Sequence, residues 1–137
     1  MRALVLLLAA ALADDSPRIA SQPTRVCVEA QKAIFQVWNP GPVPVVVALS
    51  IEHWSAGDAE EWTTIQKDVT QREAQASKIR KTRVDARRRR DFDWVLKGRK
   101  GPPLTTGRHR LVAVFSDEKG EPLGKLLHEF TVADCQY

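Results

Sequence analysis

Val-Pro-Val-Val-Val-Ala-Leu-Ser-Ile-Glu-His-Trp, residues 43–54, is the longest stretch of the chain with an unbroken period of two. Val43, Val45, Val47, Leu49 and Ile51 fall on one side, and the positions between them are smaller or polar. Successive side chains of a strand point to opposite faces, so this alternation predicts a strand with one face in a core. Asn39-Pro40-Gly41-Pro42 stands before it as a turn, where proline fixes φ and glycine admits positive φ.

Working outward, the same reading gives a series of short strands divided by turn residues. Upstream lie Arg25–Glu29 and Ala33–Trp38; downstream come Glu61–Val69, Ile79–Val84 and Arg88–Lys97. Arg108–Phe115 and Lys125–Val132 complete the set, with Leu111, Ala113 and Phe115 sharing one face. Residues 70–77 could form a helical turn or a loop, and residues 98–107 form a Gly/Pro loop. Seven to eight short strands in about 110 residues predict an all-β, antiparallel immunoglobulin-like β-sandwich.

The first thirteen residues, MRALVLLLAAALA, carry Arg2, a short apolar segment and an Ala-Leu-Ala end, the pattern of a cleaved signal peptide. An amino-terminal anchor or a buried helix is the alternative. Residues 14–24 read as a flexible leader and 25–137 as the domain, with export to the periplasm or medium and no span of a membrane after cleavage. In such a compartment Cys27 and Cys135, the two cysteines, read as one disulfide closing a loop of 109 residues. Two buried free thiols are the alternative. Two cysteines so far apart carry no metal-ligand spacing, and neither metal nor cofactor is expected.

Charge is distributed unevenly. The precursor carries +4. Between Lys78 and Arg110, thirteen Lys/Arg face Asp85, Asp91 and Asp93, a local balance of +10. Between Glu52 and Glu73, six acids face Lys67 and Arg72, a balance of −4, so the two blocks could compensate one another across a sheet. The densest part holds Arg80, Arg83 and Arg87, Arg88, Arg89 and Arg90, read as two arms of a hairpin turning at Asp85-Ala86-Arg87. Phe92, Trp94 and Leu96 would anchor the second arm in the core. Arginine suits bidentate contacts to anionic groups, whereas charge along an edge strand also guards a sheet against pairing. An exported chain points to an anionic envelope polymer or an acidic protein as partner rather than nucleic acid.

Catalytic patterns are faint. His53, His109 and His128 lie within strand patterns, and no nucleophile elbow or glycine-rich phosphate loop is present. No enzyme activity is expected. Asp91 and Asp93 share a face that could hold a hard cation, with ion pairs to Arg88–Arg90 as the plainer role. Trp54, Trp62 and Trp94 are expected in the core and Trp38 partly exposed.

The order Val37-Trp38-Asn39, Glu61-Trp62-Thr63, Phe92-Asp93-Trp94 and Leu104 to Leu111 resembles bacterial immunoglobulin-like domains, including the intracellular proteinase inhibitor type. There a G-x-Y-R element opens a late strand, and here it reads Gly107-Arg108-His109-Arg110, with histidine in the tyrosine position. The resemblance spans residues 25–133. It implies a β-sandwich, and proteinase inhibition as the alternative to an exported, non-catalytic binding module.

Overall fold

Strand β4 (Val45–Ala56) is the axis of the computed structural model, which describes residues 15–57 and 60–136. Its inward residues Val45, Val47, Leu49 and Ile51 are buried, as the alternation predicts. Val43 lies outside the strand and is 59% exposed, because Pro42 and Pro44 withhold the N–H groups that a ladder requires. The expected signal segment, residues 1–13, lies outside the described residues. Among those described, no helix is long and apolar enough to cross a membrane.

Among the described residues, nine strands form two sheets. Strands β1 (Arg18–Ser21), β3 (Lys32–Asn39) and β7 (Arg88–Val95) make a three-stranded sheet in the order β1-β3-β7. The six-stranded sheet runs β2 (Arg25–Cys27), β9 (Pro122–Ala133), β8 (Gly107–Ser116), β4, β5 (Glu60–Gln66). Strand β6 (Thr82–Val84) adjoins β4 beside β5. Twelve-residue β4 serves two partners along one edge: Val45–Val47 pair with β6, and Ile51–Ala56 with β5, past a bulge between Ile51 and Glu52. All pairings are antiparallel except β2 with β9. This is an immunoglobulin-like β-sandwich.

The sheets meet over an apolar core. Phe35 and Val37 of β3 with Phe92 and Trp94 of β7 face Leu49, Ile51, Leu111, Phe115 and Phe130 of the larger sheet. Trp94 meets Phe130 edge to face at 6.1 Å, the arrangement that aromatic quadrupoles favour. Burial at about 25 cal/mol per Å² makes this contact the main source of folding free energy.

Two features depart from the sequence reading. Residues 18–21, within the expected leader, form β1 against Trp38 and Val37, adding a ninth strand. More consequentially, residues 79–97 do not form a hairpin. β6 belongs to the larger sheet and β7 to the smaller, so Asp85-Ala86-Arg87 is a crossing between sheets. A hairpin would leave β3 paired with β1 alone: Phe35 opposes Phe92 and Ala33 opposes Trp94, and burying both aromatic residues requires β7 on that sheet. Arg87 turns the corner at φ 56°, a left-handed conformation uncommon for a side-chain-bearing residue.

Residues 70–77, read as helical turn or loop, lie within a segment, 67–81, that buried polar groups order. The Gln66 side chain donates to the Asp68, Gln71 and Glu73 carbonyls and accepts from Arg99 Nε at 2.9 Å. Burial pushes the Asp68 carboxyl up. Hydrogen bonds from the Arg80 N–H and from Thr70 and Gln71 outweigh this and hold it below its usual range. On the facing loop, Gly101 adopts φ 133°, and a Cβ there would stand 2.8 Å from the Ala74 Cβ, so only glycine fits.

Cys27 and Cys135 are bridged, with Cα atoms 5.5 Å apart. The bond clasps the end of β2 to the chain just beyond β9, and the Glu29 carboxylate accepts the Cys135 N–H at 3.0 Å. Because the core lies elsewhere, replacing both cysteines by serine should preserve the fold and lower stability by about 2–5 kcal/mol. Urea denaturation of both forms measures this; coincident midpoints would show that the clasp does not constrain the unfolded chain.

Candidate functional site

The arginine seam begins at Asn39, the last residue of β3. Its side chain is buried and donates through Nδ2 to the Val43 carbonyl at 2.9 Å and to those of Val84 and Asp85, both at 3.2 Å. Its Oδ1 accepts the Gly41 N–H at 3.1 Å. One carboxamide therefore ties the proline turn, the end of β6 and the crossing together. Arg88 lies directly opposite Asn39 in the ladder, so the same group fixes where the arginine run starts.

Beyond that point the six arginines come from four settings along the seam between the sheets. Arg80 precedes β6, with its backbone N–H held by Asp68 at 2.7 Å. Arg83 lies on β6 and pairs with Asp85 at 2.9 Å and Glu118 at 3.2 Å. Arg87 occupies the crossing, and Arg88, Arg89 and Arg90 open β7. Arg89 covers the half-buried Trp38 ring at 5.1 Å, a cation–π contact, and Arg90 Nη1 donates to the Arg83 carbonyl at 3.3 Å. Among the described residues, Arg83 is the one member of the six in an ion pair with a carboxylate.

Two adjoining grooves follow the seam. A cavity of about 240 Å³ is lined by Arg83, Val84, Asp85 and Arg88–Arg90. A larger one of about 470 Å³ has Thr70, Arg80 and Thr82 on one side and β7 from Arg90 onward on the other. Arg90 belongs to both.

The aspartates of β7 do not meet the neighbouring arginines. Asp91 accepts from Gln36 Nε2 at 2.9 Å and Asp93 pairs with Lys32 at 3.3 Å, both directly opposite on β3. Adjacent residues of one strand point to opposite faces, so cross-strand partners win over chain neighbours. The expected compensation between the acidic and basic blocks is carried by Glu52 and Arg110, at 2.6 Å. It leaves the arginine run exposed.

Residue-by-residue reading missed a second cationic assembly on the outer face of the larger sheet. Trp54 and Trp62, placed opposite each other by the β4–β5 register, stand with ring centroids 5.2 Å apart. Arg108 covers both rings, at 5.3 Å and 5.1 Å, and Arg110 lies 4.1 Å from Trp62. Both tryptophans are therefore half-buried rather than core, and Trp94 alone of the four is fully buried. The signal was the alternation Arg108-His109-Arg110, which places two guanidiniums on one face, but the strand register had to supply the tryptophans.

His109, between those arginines, points inward and is fully buried. It lies 4.7 Å from His53 across the ladder and stacks on Phe130 at 5.7 Å. Its Nδ1 lies 2.9 Å from the Gly107 carbonyl and donates to it. Burial lowers its pKa from the usual 6.5; the Gly107 carbonyl opposes this and repulsion from His53 adds to it. Cys27, Glu29 and Cys135 bring potential metal-ligand atoms within 4.8 Å of one another, but the disulfide engages both sulfurs.

Two measurements follow from these contacts. A carboxylate at position 39 would face three carbonyl oxygens, so Asn39→Asp should destabilise more than Asn39→Ala, each by about 1–3 kcal/mol or more. Equal denaturation midpoints for variant and parent would remove the node from the account. For His109, the unfolded chain binds a proton more readily than the folded one. Stability is therefore full above pH 6.5 and declines as pH falls from there toward the lowered folded value. Thermal denaturation between pH 7.5 and 5 should show that decline, and His109→Phe should flatten it. An unchanged slope would assign it to other groups.

No protein-family model matches the chain, and no curated protein matches it. Among solved structures it is similar to a Pseudomonas fluorescens alkylpurine DNA glycosylase, AlkC, bound to DNA containing an abasic site analog. That pair shares 17% identity over 93% of this chain and 33% of the other, with a TM-score of 0.46. The complex of the CsuC chaperone with the CsuE tip adhesion subunit, from the archaic chaperone-usher Csu pili of Acinetobacter baumannii, matches at 8% identity. The match covers 85% of this chain and 55% of that one, with a TM-score of 0.49. The seventh PapD-like domain of human CEP192 matches at 12% identity over 89% and 85% of the two chains, TM-score 0.45. The chain thus spans about a third and about half of the first two structures. At these identities the likeness concerns the β-sandwich alone.

Proposed function

We propose that this chain is an exported, non-catalytic binding module whose arginine seam grips an anionic partner, an acidic protein or an anionic envelope polymer. The observation that carries the reading is that Arg83 and Arg88–Arg90 line one groove between the sheets, with Arg80 and Arg90 on the adjoining groove and Arg87 at the crossing. Among the described residues, Arg83 alone of these forms ion pairs with carboxylates. Exposed guanidiniums lining one groove repel one another, and an anion on the seam relieves that repulsion. Their planar forks suit carboxylate, sulfate and phosphate alike. The Cys27–Cys135 bridge suits an oxidising, exported setting, as does the leader pattern of residues 1–13. The proteinase-inhibitor alternative rests on the sequence resemblance alone.

The test is retention on immobilised dextran sulfate across a salt gradient. Replacing Arg88, Arg89 and Arg90 by serine should move elution to markedly lower salt. It should also reduce the slope of log affinity against log salt by about 0.7–0.9 per lost contact, as for nucleic-acid polyanions. Replacing Lys97, Lys119 and Lys125 by serine removes the same charge elsewhere and should have the smaller effect. If the two triple variants elute together, net charge accounts for retention and the seam has no special role.

A further inference from the structure

The larger groove runs along a strand edge rather than across a sheet face. On the β7 side it is lined by Arg90, Asp91, Phe92, Asp93 and Val95. Phe92 points into the core while Asp91 and Asp93 point outward, so residues from opposite faces line one groove. A groove touches both faces of a strand only where it follows the edge between them. That edge is open: β7 ends the order β1-β3-β7, and β3 is its one ladder partner among the described residues. The opposite wall, formed by Thr70, Arg80 and Thr82, is loop and the start of β6. An extended chain entering here would find unpaired backbone groups on one side and a guanidinium with two hydroxyl-bearing residues on the other.

We infer that the occupant is an extended acidic segment of a partner protein, added as a strand to the free edge of β7. The inference rests on the reading of the arginine seam as an anion-binding surface and specifies the partner and the mode. Strand addition draws affinity from main-chain hydrogen bonds and specificity from alternate side chains. Side chains directly opposite in a ladder share a face, so the incoming residues divide into two sets. One set meets Arg88, Arg90 and Phe92, with Arg80 facing it across the groove. This set calls for two acids at alternate positions and an apolar residue at the next. The other set meets Arg89, Asp91 and Asp93. Its two aspartates already hold Gln36 and Lys32, so neutral residues suit it. The same arginines that attract an acidic strand repel the identical edge of a second copy, which keeps this edge from pairing with itself.

The experiment uses the full exported chain and a fluorescent heptapeptide with glutamate at two alternate positions and valine at the next, threonine standing between. Anisotropy should show binding, and amide exchange over residues 88–95 should slow. Two N-methylated versions decide the geometry, one methylated on the glutamate and valine amides, the other on the threonine amides. In an extended strand alternate N–H groups point to the same side. One version should therefore lose about tenfold or more in affinity while the other binds like the parent. If both bind like the parent, or both lose binding equally, strand addition is wrong. If the parent peptide fails to bind while dextran sulfate is retained, the acidic strand is wrong and the anion-binding seam stands. If neither binds, both readings fall.

Discussion

One buried carboxamide holds the working end of this sandwich together. Asn39 closes β3, and its four hydrogen bonds reach the proline turn and the crossing from β6 to β7. Buried carbonyls left without donors would each carry a desolvation cost, so the turn and the crossing cannot move independently. Fixing the crossing fixes β7 in register with β3, which brings Phe92 and Trp94 into the core. The same step leaves Arg88–Arg90 just outside it. Core and candidate site are therefore set by a single arrangement.

The seam shows how a sandwich can concentrate charge without a dedicated loop. β6 and β7 are neighbours in sequence but belong to different sheets, so the arginines before and after the crossing flank the gap between sheets. Cross-strand geometry draws Asp91 and Asp93 to Gln36 and Lys32 and away from the cluster. Burial satisfies Asp68 locally through Thr70, Gln71 and the Arg80 backbone. Asp85 and Glu118 pair with Arg83, while Asp68, Asp91 and Asp93 are engaged by other groups and form no ion pair with the remaining arginines.

A different balance governs the outer face of the larger sheet. There Arg108 and Arg110 lie over Trp54 and Trp62, and Glu52 completes the row with Arg110. Half-buried tryptophans of this kind lose little to solvent when guanidiniums cover them, since the cation meets the electron-rich ring face. Two arginine-rich assemblies thus occupy one molecule with opposite characters, one saturated by rings and carboxylates, the other exposed beside grooves.

What the sequence determined by itself was local and periodic. The alternation through β4 and β8 identified the buried faces, and the spacing of turn residues identified the class of fold. The cysteines at the two ends of the domain pointed to the bridge that joins them. Tertiary structure decided which strands are partners. Residues 79–97 satisfy the pattern of a hairpin, but the pattern cannot say that Phe92 and Trp94 complete the core only beside β3. Trp54 and Trp62 read as core until the register placed Arg108 and Arg110 over them. Period two gives the face a side chain points to, whereas its neighbour on that face comes from a strand distant in sequence. For that reason the six arginines were legible as a cluster, and the seam that gathers them was not.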